Sequence, residues 1–361
     1  MTTYGANGEM WERFRTRENF DLAQKRSRLH KGTRHDVQRF ERDREKNIEK
    51  QMERALSADF HFSEYKTKKI YEPKERIIYV LPYEDRIIQH AALNVLIPYY
   101  MRLFDYHSYS CIPGRGQTTA SRRTMEFVRR YKWCYESDVH HCFPTINLDI
   151  LSGMHHEKFR DKKFLEFNDK IIYSINDVNE SLKTVYTADG EPYIVTEKSN
   201  CPIGNPTSQW YMNFYLNQWD LYMAHKLKLP HIRFCDNGNV YSNSLDDVKR
   251  AKDKTEEFYD KVLNISLSKS NIRRCEDGID FVGYRHFPNG KLLVRKSTVK
   301  KQKKELARLP EMLEVGLITQ EQMRSTIDST LGWWKHAQTY HLKKSTGILE
   351  MREAYCGRMC A

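Results

Sequence analysis

The sequence predicts an α+β chain, and three observations carry that prediction. HIRFCDNGNVYS, from His231 to Ser242, has two apolar-alternating arms with the turn formers Asp236, Asn237, Gly238 and Asn239 between them, the composition of a β-hairpin. Trp133 to Val139 has strand character and carries an acid, Asp138, at its end. From Asn19 to Leu56 there is no Pro and a single Gly, and Phe40, Ile48, Met52 and Leu56 recur at helical spacing.

Composition narrows the function classes. A chain of 361 residues can bury a sizeable core and divides into two or three subdomains. Its 22 Tyr argue against disorder, and its net charge of +12 favours a polyanionic partner. The excess is uneven: residues 291–361 hold 14 Lys and Arg against 7 Asp and Glu, whereas residues 1–60 hold 14 against 11. No run is long and apolar enough for a membrane span, and the first residues lack the apolar segment of a secretory signal. The eight Cys are scattered without CxxC pairs, which makes reduced thiols in a cytoplasm the expectation and argues against a structural zinc site.

In chain order, the first sixty residues read as a charged helical layer appended to the rest. Between Tyr65 and Tyr100 a strand pair turns near Pro73 and Lys74, and an amphipathic helix opens near Tyr83 to Asp85, where the acids suit a helix N-terminus. Lys74 and Arg76 sit where they could reach a phosphate, and taken alone they fit a solvated hairpin equally well. After the loop PGRGQTT, a helix leads to the strand that holds Asp138. An acid at the end of a buried strand needs a cation or a metal beside it. Phe143 follows five residues on, Pro144 ends the extended run, and a helix starts near Leu148. SNCPIGNPTSQ makes a Gly/Pro/Asn loop entering a helix capped near Thr207 or Ser208, a platform for an anion or a base pair. Asp236 at the hairpin tip is the second candidate metal ligand, although an Asp-Asn-Gly run by itself also fits a type I′ turn. A helix from Leu245 to Val262, a strand near Leu263 to Leu267 ending at Lys269, and the strand-turn-strand DFVGYRHFPNGKLLVR follow. In STVKKQKKELARL, from Ser297, Lys300, Lys303, Lys304 and Arg308 fall on adjacent turns of a helix, which alone reads as a solvated basic face.

Other residues invite less. Cys235 has no evident base and reads as structural, Trp333 and Trp334 as packing, and the aromatics from Trp210 to Tyr222 as core at helical spacing.

Taken together, the strand Asp with an aromatic five residues on, the IGNPTSQ loop, the FCDN hairpin, the Lys269 strand and FVGY resemble, in this order, the palm of a reverse transcriptase. The wording YEPKER, EDRIIQHA, IGNPTSQ and LGWWKHA is similar to the enzymes of diversity-generating retroelements, over essentially the whole chain from Asn19. The resemblance implies a right-hand polymerase: a helical N-terminal extension (residues 1–60), fingers and a palm with a ferredoxin-like antiparallel sheet (61–290), and a basic helical thumb (291–361). It implies that Asp138, Asp236 and the Val139 carbonyl hold Mg²⁺, with Mn²⁺ as a substitute, and that Lys269 donates a proton to pyrophosphate. By the same resemblance Lys74 and Arg76 hold the triphosphate, Phe143 is a steric gate against a 2′-hydroxyl, and Ile203, Gly204 and Gln209 line the nascent base pair. Lys300, Lys303, Lys304 and Arg308 would track a duplex backbone, and His140 and His141 stand where the family has basic residues.

One departure matters: the family's aromatic-x-Asp-Asp is here Phe234, Cys235, Asp236 and Asn237. Losing one carboxylate removes an attraction to Mg²⁺ of about 1 to 4 kcal/mol per unit charge. Two acids able to bridge both ions of a two-metal site remain. The expected activity is RNA-templated DNA synthesis on an RNA or DNA primer from dNTPs, with a structured RNA and an accessory protein as partners, in a bacterial or phage cytoplasm. No appended RNase H or endonuclease domain is expected. Two alternatives stay open: the same enzyme in antiviral defence, making DNA of restricted sequence, and an inactive palm that binds nucleic acid or serves assembly.

Overall fold

Among the residues described by the computed structural model, 3–71, 75–175, 178, 180–187 and 190–356, four helices precede the first strand. They are α1 (Glu9–Phe14), α2 (Arg17–Arg28), α3 (His35–Arg42) and α4 (Arg44–Leu56). The helical stretch expected from Asn19 to Leu56 is broken after α2, where His30 takes a left-handed φ of 58°. These helices are less an appended layer than part of the main core. Phe14 and Phe20 are fully buried in it, and the Phe14 ring lies 4.4 Å from that of Phe167, tilted by 41°.

The strands β1 (Lys66–Ile70) and β2 (Arg76–Val80) form the antiparallel pair expected there, with Ile70 opposite Arg76. The turn near Pro73 and Lys74, and Lys74 itself, lie outside the described residues. The following α5 (Tyr83–Leu103) is not amphipathic as expected: Ile87, Ile88, Ala91, Ala92, Val95 and Leu96 bury it on most sides, as in a helix enclosed by its neighbours. Its Asp85 is fully buried, accepting from the Ser63 N–H at 2.9 Å and pairing with Arg54 of α4 at 2.5 Å.

The chain continues through α6 (Gln117–Arg130), β3 (Trp133–Val139), the short α7 (Cys142–Thr145), α8 (Leu148–Lys158), α9 (Lys162–Ile172) and the hairpin β4 (Leu182–Tyr186) with β5 (Pro192–Thr196). Next come α10 (Ser208–Leu221), which runs on as a π-helical turn at Tyr222–Leu227, then β6 (His231–Phe234), β7 (Asn237–Ser242), α11 (Leu245–Lys261) and β8 (Leu267–Arg274). The central sheet is four-stranded and antiparallel, in the order β6-β7-β3-β8. Alternation along β3 decides its two faces. Tyr135, with Val240 of β7, joins the core formed by Trp219 of α10 and Tyr259 of α11. Cys134, with Ile232 and Tyr241, packs instead on Phe127 and Val128 of α6. β3 is covered on both faces from Cys134 to Ser137, and Asp138 near its end is only partly buried.

A second sheet of β9 (Ile279–Phe281), β10 (Tyr284–His286) and β11 (Leu292–Val294) leads into α12 (Lys296–Glu314), α13 (Gln320–Trp334), α14 (Tyr340–Thr346) and α15 (Ile348–Cys356). This end has a core of its own, built from Val294, Leu306, Met323, Ile327, Trp334 and Ile348. Trp334 is buried and Trp333 lies 5.4 Å from Tyr284, so both tryptophans pack as expected.

Candidate active site

Register across the central sheet brings three distant motifs into one row. Asp138 of β3 stands directly opposite Asn237 of β7 on one side and Lys269 of β8 on the other. Direct antiparallel partners share a face, so the three side chains project together. The ladder skips Ser268 between Lys269 and Leu267, a β-bulge, and the Ser268 hydroxyl turns to Asp138, 3.2 Å from its carbonyl and 3.3 Å from Oδ1. Lys269 therefore sits near the start of β8, not at the end of an earlier strand as the sequence suggested, because pairing with β3 begins only at Leu267.

The hairpin turn also differs from the Asp-Asn-Gly expectation. Phe234 pairs with Asn237, leaving Cys235 and Asp236 as a two-residue loop, and Cys235 takes the positive φ of 54° that such loops need. Asn237, Gly238 and Asn239 lie inside β7. Gly238 is there for closeness: a Cβ would lie 2.8 Å from the Trp219 ring and 2.9 Å from Ser137 Oγ. Asp236 occupies the tip, its carbonyl accepting from the Val139 N–H at 3.3 Å and its Oδ1 from Asn237 Nδ2 at 3.3 Å. The two acids and the Val139 main chain thus converge at one end of the sheet. Burial pushes the Cys235 thiol up to about 11, and the Ser110 hydroxyl lies 2.7 Å from it, which fits a structural role.

Beneath the hairpin is a mount that sequence reading missed. Arg233 is fully buried and donates to both carboxylate oxygens of the equally buried Asp220, with Nη2 to Oδ2 at 2.7 Å. Its Nη1 also donates to the Asn213 side chain at 3.1 Å and to the Cys235 carbonyl at 2.8 Å, and its Nη2 to Ser108 at 2.9 Å. Burial works against the guanidinium charge, and the Asp220 carboxylate more than offsets it, as a buried charge requires. An Arg in a strand one residue before an aromatic gives no signal of this in sequence.

Glu136 was missed as well. It lies two residues before Asp138 on the same face, is 1% exposed, and its Oε2 is 2.9 Å from both Lys269 Nζ and Arg273 Nε. Its Oε1 has no hydrogen-bond partner among the described residues.

The residues expected around a nucleotide are joined through their main chains. The Ile203 carbonyl accepts from Tyr79 of β2 and the Phe143 carbonyl from Cys201, both at 2.8 Å. Gly204, at φ 123°, is required: a Cβ would lie 2.4 Å from the Tyr79 carbonyl, and Arg86 donates to the Gly204 carbonyl at 2.7 Å. Phe143 is half-buried, while Arg76 and Gln209 are exposed, Gln209 on the first turn of α10. His140 and His141 follow Asp138 with rings 4.3 Å apart, and His141 is left-handed at φ 45°. Lys300, Lys303, Lys304 and Arg308 are all exposed on α12, outside the row that holds Asp138. Among the described residues no group of three or more His, Cys, Asp or Glu could hold a metal ion by itself, and no helix is long and apolar enough to cross a membrane.

Residues 65–286 match the family described as reverse transcriptase (RNA-dependent DNA polymerase). The chain belongs to that family. The palm sheet over α10 and α11, with helices beyond β11, is the right-hand polymerase architecture that the resemblance implied. Curated relatives include the putative COX1/OXI3 intron 2 protein of Saccharomyces cerevisiae, 24% identical over 40% of this chain and 16% of its own length. Another is nuclear intron maturase 1, mitochondrial, of Arabidopsis thaliana, 25% identical over 28% of this chain and 14% of its own. Both matches span only a small part of the relatives' lengths. Among solved structures, telomerase of Candida albicans in complex with a TWJ fragment of telomeric RNA is similar with a TM-score of 0.48 at 12% identity, over 82% of this chain and 60% of that one. Telomerase of Candida tropicalis gives a TM-score of 0.46 at 13% identity, over 81% and 55%.

Proposed function

We propose that this reverse transcriptase family member is an active RNA-directed DNA polymerase, and the observation that carries the reading is the row Asn237–Asp138–Lys269 with Asp236 at the adjoining tip. The reaction joins a primer 3′-hydroxyl oxygen to the α-phosphorus of a dNTP and breaks the bond to the β-phosphate, so that pyrophosphate leaves with the electron pair. Such chemistry asks for positioning and charge neutralisation. The donor set, two carboxylates and the Val139 carbonyl, is all oxygen, which fits Mg²⁺, an ion that keeps several waters beside one or two carboxylates. When bound, the ions would supply charge stabilisation to the attacking and leaving oxygens.

This chain's own residues do the rest. Asp138 on β3 and Asp236 at the tip of the β6–β7 hairpin would hold the ions, both positions fixed by the ladder. Lys269 gives a proton to the leaving pyrophosphate after leaving Glu136. Lys74 and Arg76 hold the triphosphate, Ile203, Gly204 and Gln209 flank the new base pair, and Phe143 closes on the sugar. The IGNPTSQ and YEPKER wording supports a diversity-generating retroelement as the setting, with a structured RNA and an accessory protein as partners.

Asn237, where the family has an acid, favours one second reading: an inactive palm that binds nucleic acid. Primer extension on an RNA template separates the two. Nucleotide addition by wild type, abolished by Asp138→Asn or Asp236→Asn in folded protein, is the expected result. No addition under any Mg²⁺ or Mn²⁺ condition, with the natural RNA present, would overturn the polymerase reading.

A further inference from the structure

At the opposite end of β3 from Asp138 lies a second site. A cavity of about 520 Å³ opens where the C-terminus of α6 meets the start of β3 and the end of β8. That volume suits one small ligand of nucleotide size. Its rim carries Arg129, Arg130, Lys132 and Arg274. Arg274 pairs with Glu276 at 3.0 Å, and among the described residues Arg129, Arg130 and Lys132 have no acid within ion-pair distance.

Two aromatic residues join them in the lining. Trp133 and Tyr131 line the cavity, each half-buried, with the Arg274 guanidinium 5.3 Å above the Trp133 ring and that of Arg130 5.6 Å from the Tyr131 ring. Helix-terminal basic residues alone would be a solvated surface favoured by the helix dipole. Cations around a ring-lined pocket are a different arrangement, because they pair phosphate binding with a stacking face, the two elements of single-strand recognition. A duplex keeps its bases stacked inside and would leave the rings unused.

We propose that this pocket binds a single-stranded nucleic-acid segment, one unstacked base beside Trp133 or Tyr131 with the flanking phosphates on Arg129, Arg130 and Lys132. The strand from Trp133 to Asp138 spans roughly 17 Å at about 3.3 Å per residue. The nucleic acid held there is therefore distinct from the nucleotides at the catalytic end, and the inference stands whether or not the palm adds nucleotides.

The test uses the full chain and fluorescent twelve-nucleotide probes of single-stranded RNA, single-stranded DNA and the corresponding duplex, titrated over a salt series. The combined variant Arg129→Ala, Arg130→Ala, Lys132→Ala should lose at least about tenfold in single-strand affinity, with a salt slope flatter by roughly 0.7 for each phosphate no longer neutralised. Duplex binding and any nucleotide addition should be unchanged. Comparing the RNA and DNA arms shows which strand the pocket prefers. A 4-thiouridine probe should crosslink to Tyr131 or Trp133, a readout that leaves the protein unaltered. Equal losses for single strand and duplex, unchanged affinity, or crosslinks confined to other segments would overturn the proposal. Loss of single-strand binding in a protein that adds no nucleotide would support the pocket while refuting the polymerase reading.

Discussion

Lys269 faces Asp138 across the β3–β8 ladder, yet its ammonium rests 2.9 Å from Glu136, one row further into the sheet. A buried carboxylate thus holds two cations, Lys269 and Arg273, at the edge of the site. Removing Glu136 leaves them without that anchor.

Glu136→Gln should therefore lower stability by about 1–2 kcal/mol, short of the loss for a fully buried pair because both cations are partly exposed. Lys269→Met should instead act on turnover, slowing nucleotide addition by about 10²-fold or more if the ammonium donates the proton. Denaturant unfolding and single-turnover extension of both variants separate the two effects. A Lys269→Met enzyme with full turnover would remove the lysine from the chemistry.

Asn237→Asp adds a charge beside Asp236 in the same row as Asp138. Without metal the new carboxylate repels its neighbours, and with Mg²⁺ the cation offsets the repulsion. Extension by this variant should persist or rise at low Mg²⁺, read as a shift of the Mg²⁺ titration to lower concentration. A shift to higher concentration would show that the neutral amide is the better fit here.

The α12 charges address duplex. Lys300→Glu, Lys303→Glu and Lys304→Glu together should weaken duplex binding across sequences and flatten its salt dependence by roughly 0.9 for each phosphate no longer neutralised. An unmoved slope would assign this face to solvent or to a protein.

His155 gives a pH prediction. It is fully buried, its Nδ1–H donates to the Leu151 carbonyl at 2.7 Å, and its Nε2 is 2.6 Å from the Tyr100 hydroxyl, a pair of bonds suited to the neutral ring. Burial lowers its pKa from 6.5 to about 4. The unfolded chain then binds more protons between these values, so this contribution is intact above pH 6.5, declines as pH falls, and levels off below about 4. In His155→Gln the loss of unfolding free energy between pH 7.5 and pH 5 should shrink by roughly 1–2 kcal/mol relative to wild type. An equal loss in both proteins would place the acid sensitivity elsewhere.

The sequence by itself determined the elements and the order of the motifs. Strand alternation, helical spacing and loop wording are local, and so the strand ending near Asp138, the loop around Gly204, the hairpin that carries Asp236 and the basic helix face after Ser297 were legible from neighbouring residues, whereas the roles expected of these residues came from the order of the motifs along the whole chain. Even the turn was only partly local: Asp-Asn-Gly resembles a type I′ turn, but pairing of Phe234 with Asn237 moved the loop to Cys235 and Asp236. What only the tertiary structure decided was who meets whom. Strand register placed Asn237 and Lys269 on either side of Asp138, and a buried charge found its partner across elements, Arg233 with Asp220 and Glu136 with Lys269 and Arg273. No local pattern encodes such pairs, because their energy comes from burial and from distances set by the whole sheet and the helices packed on it.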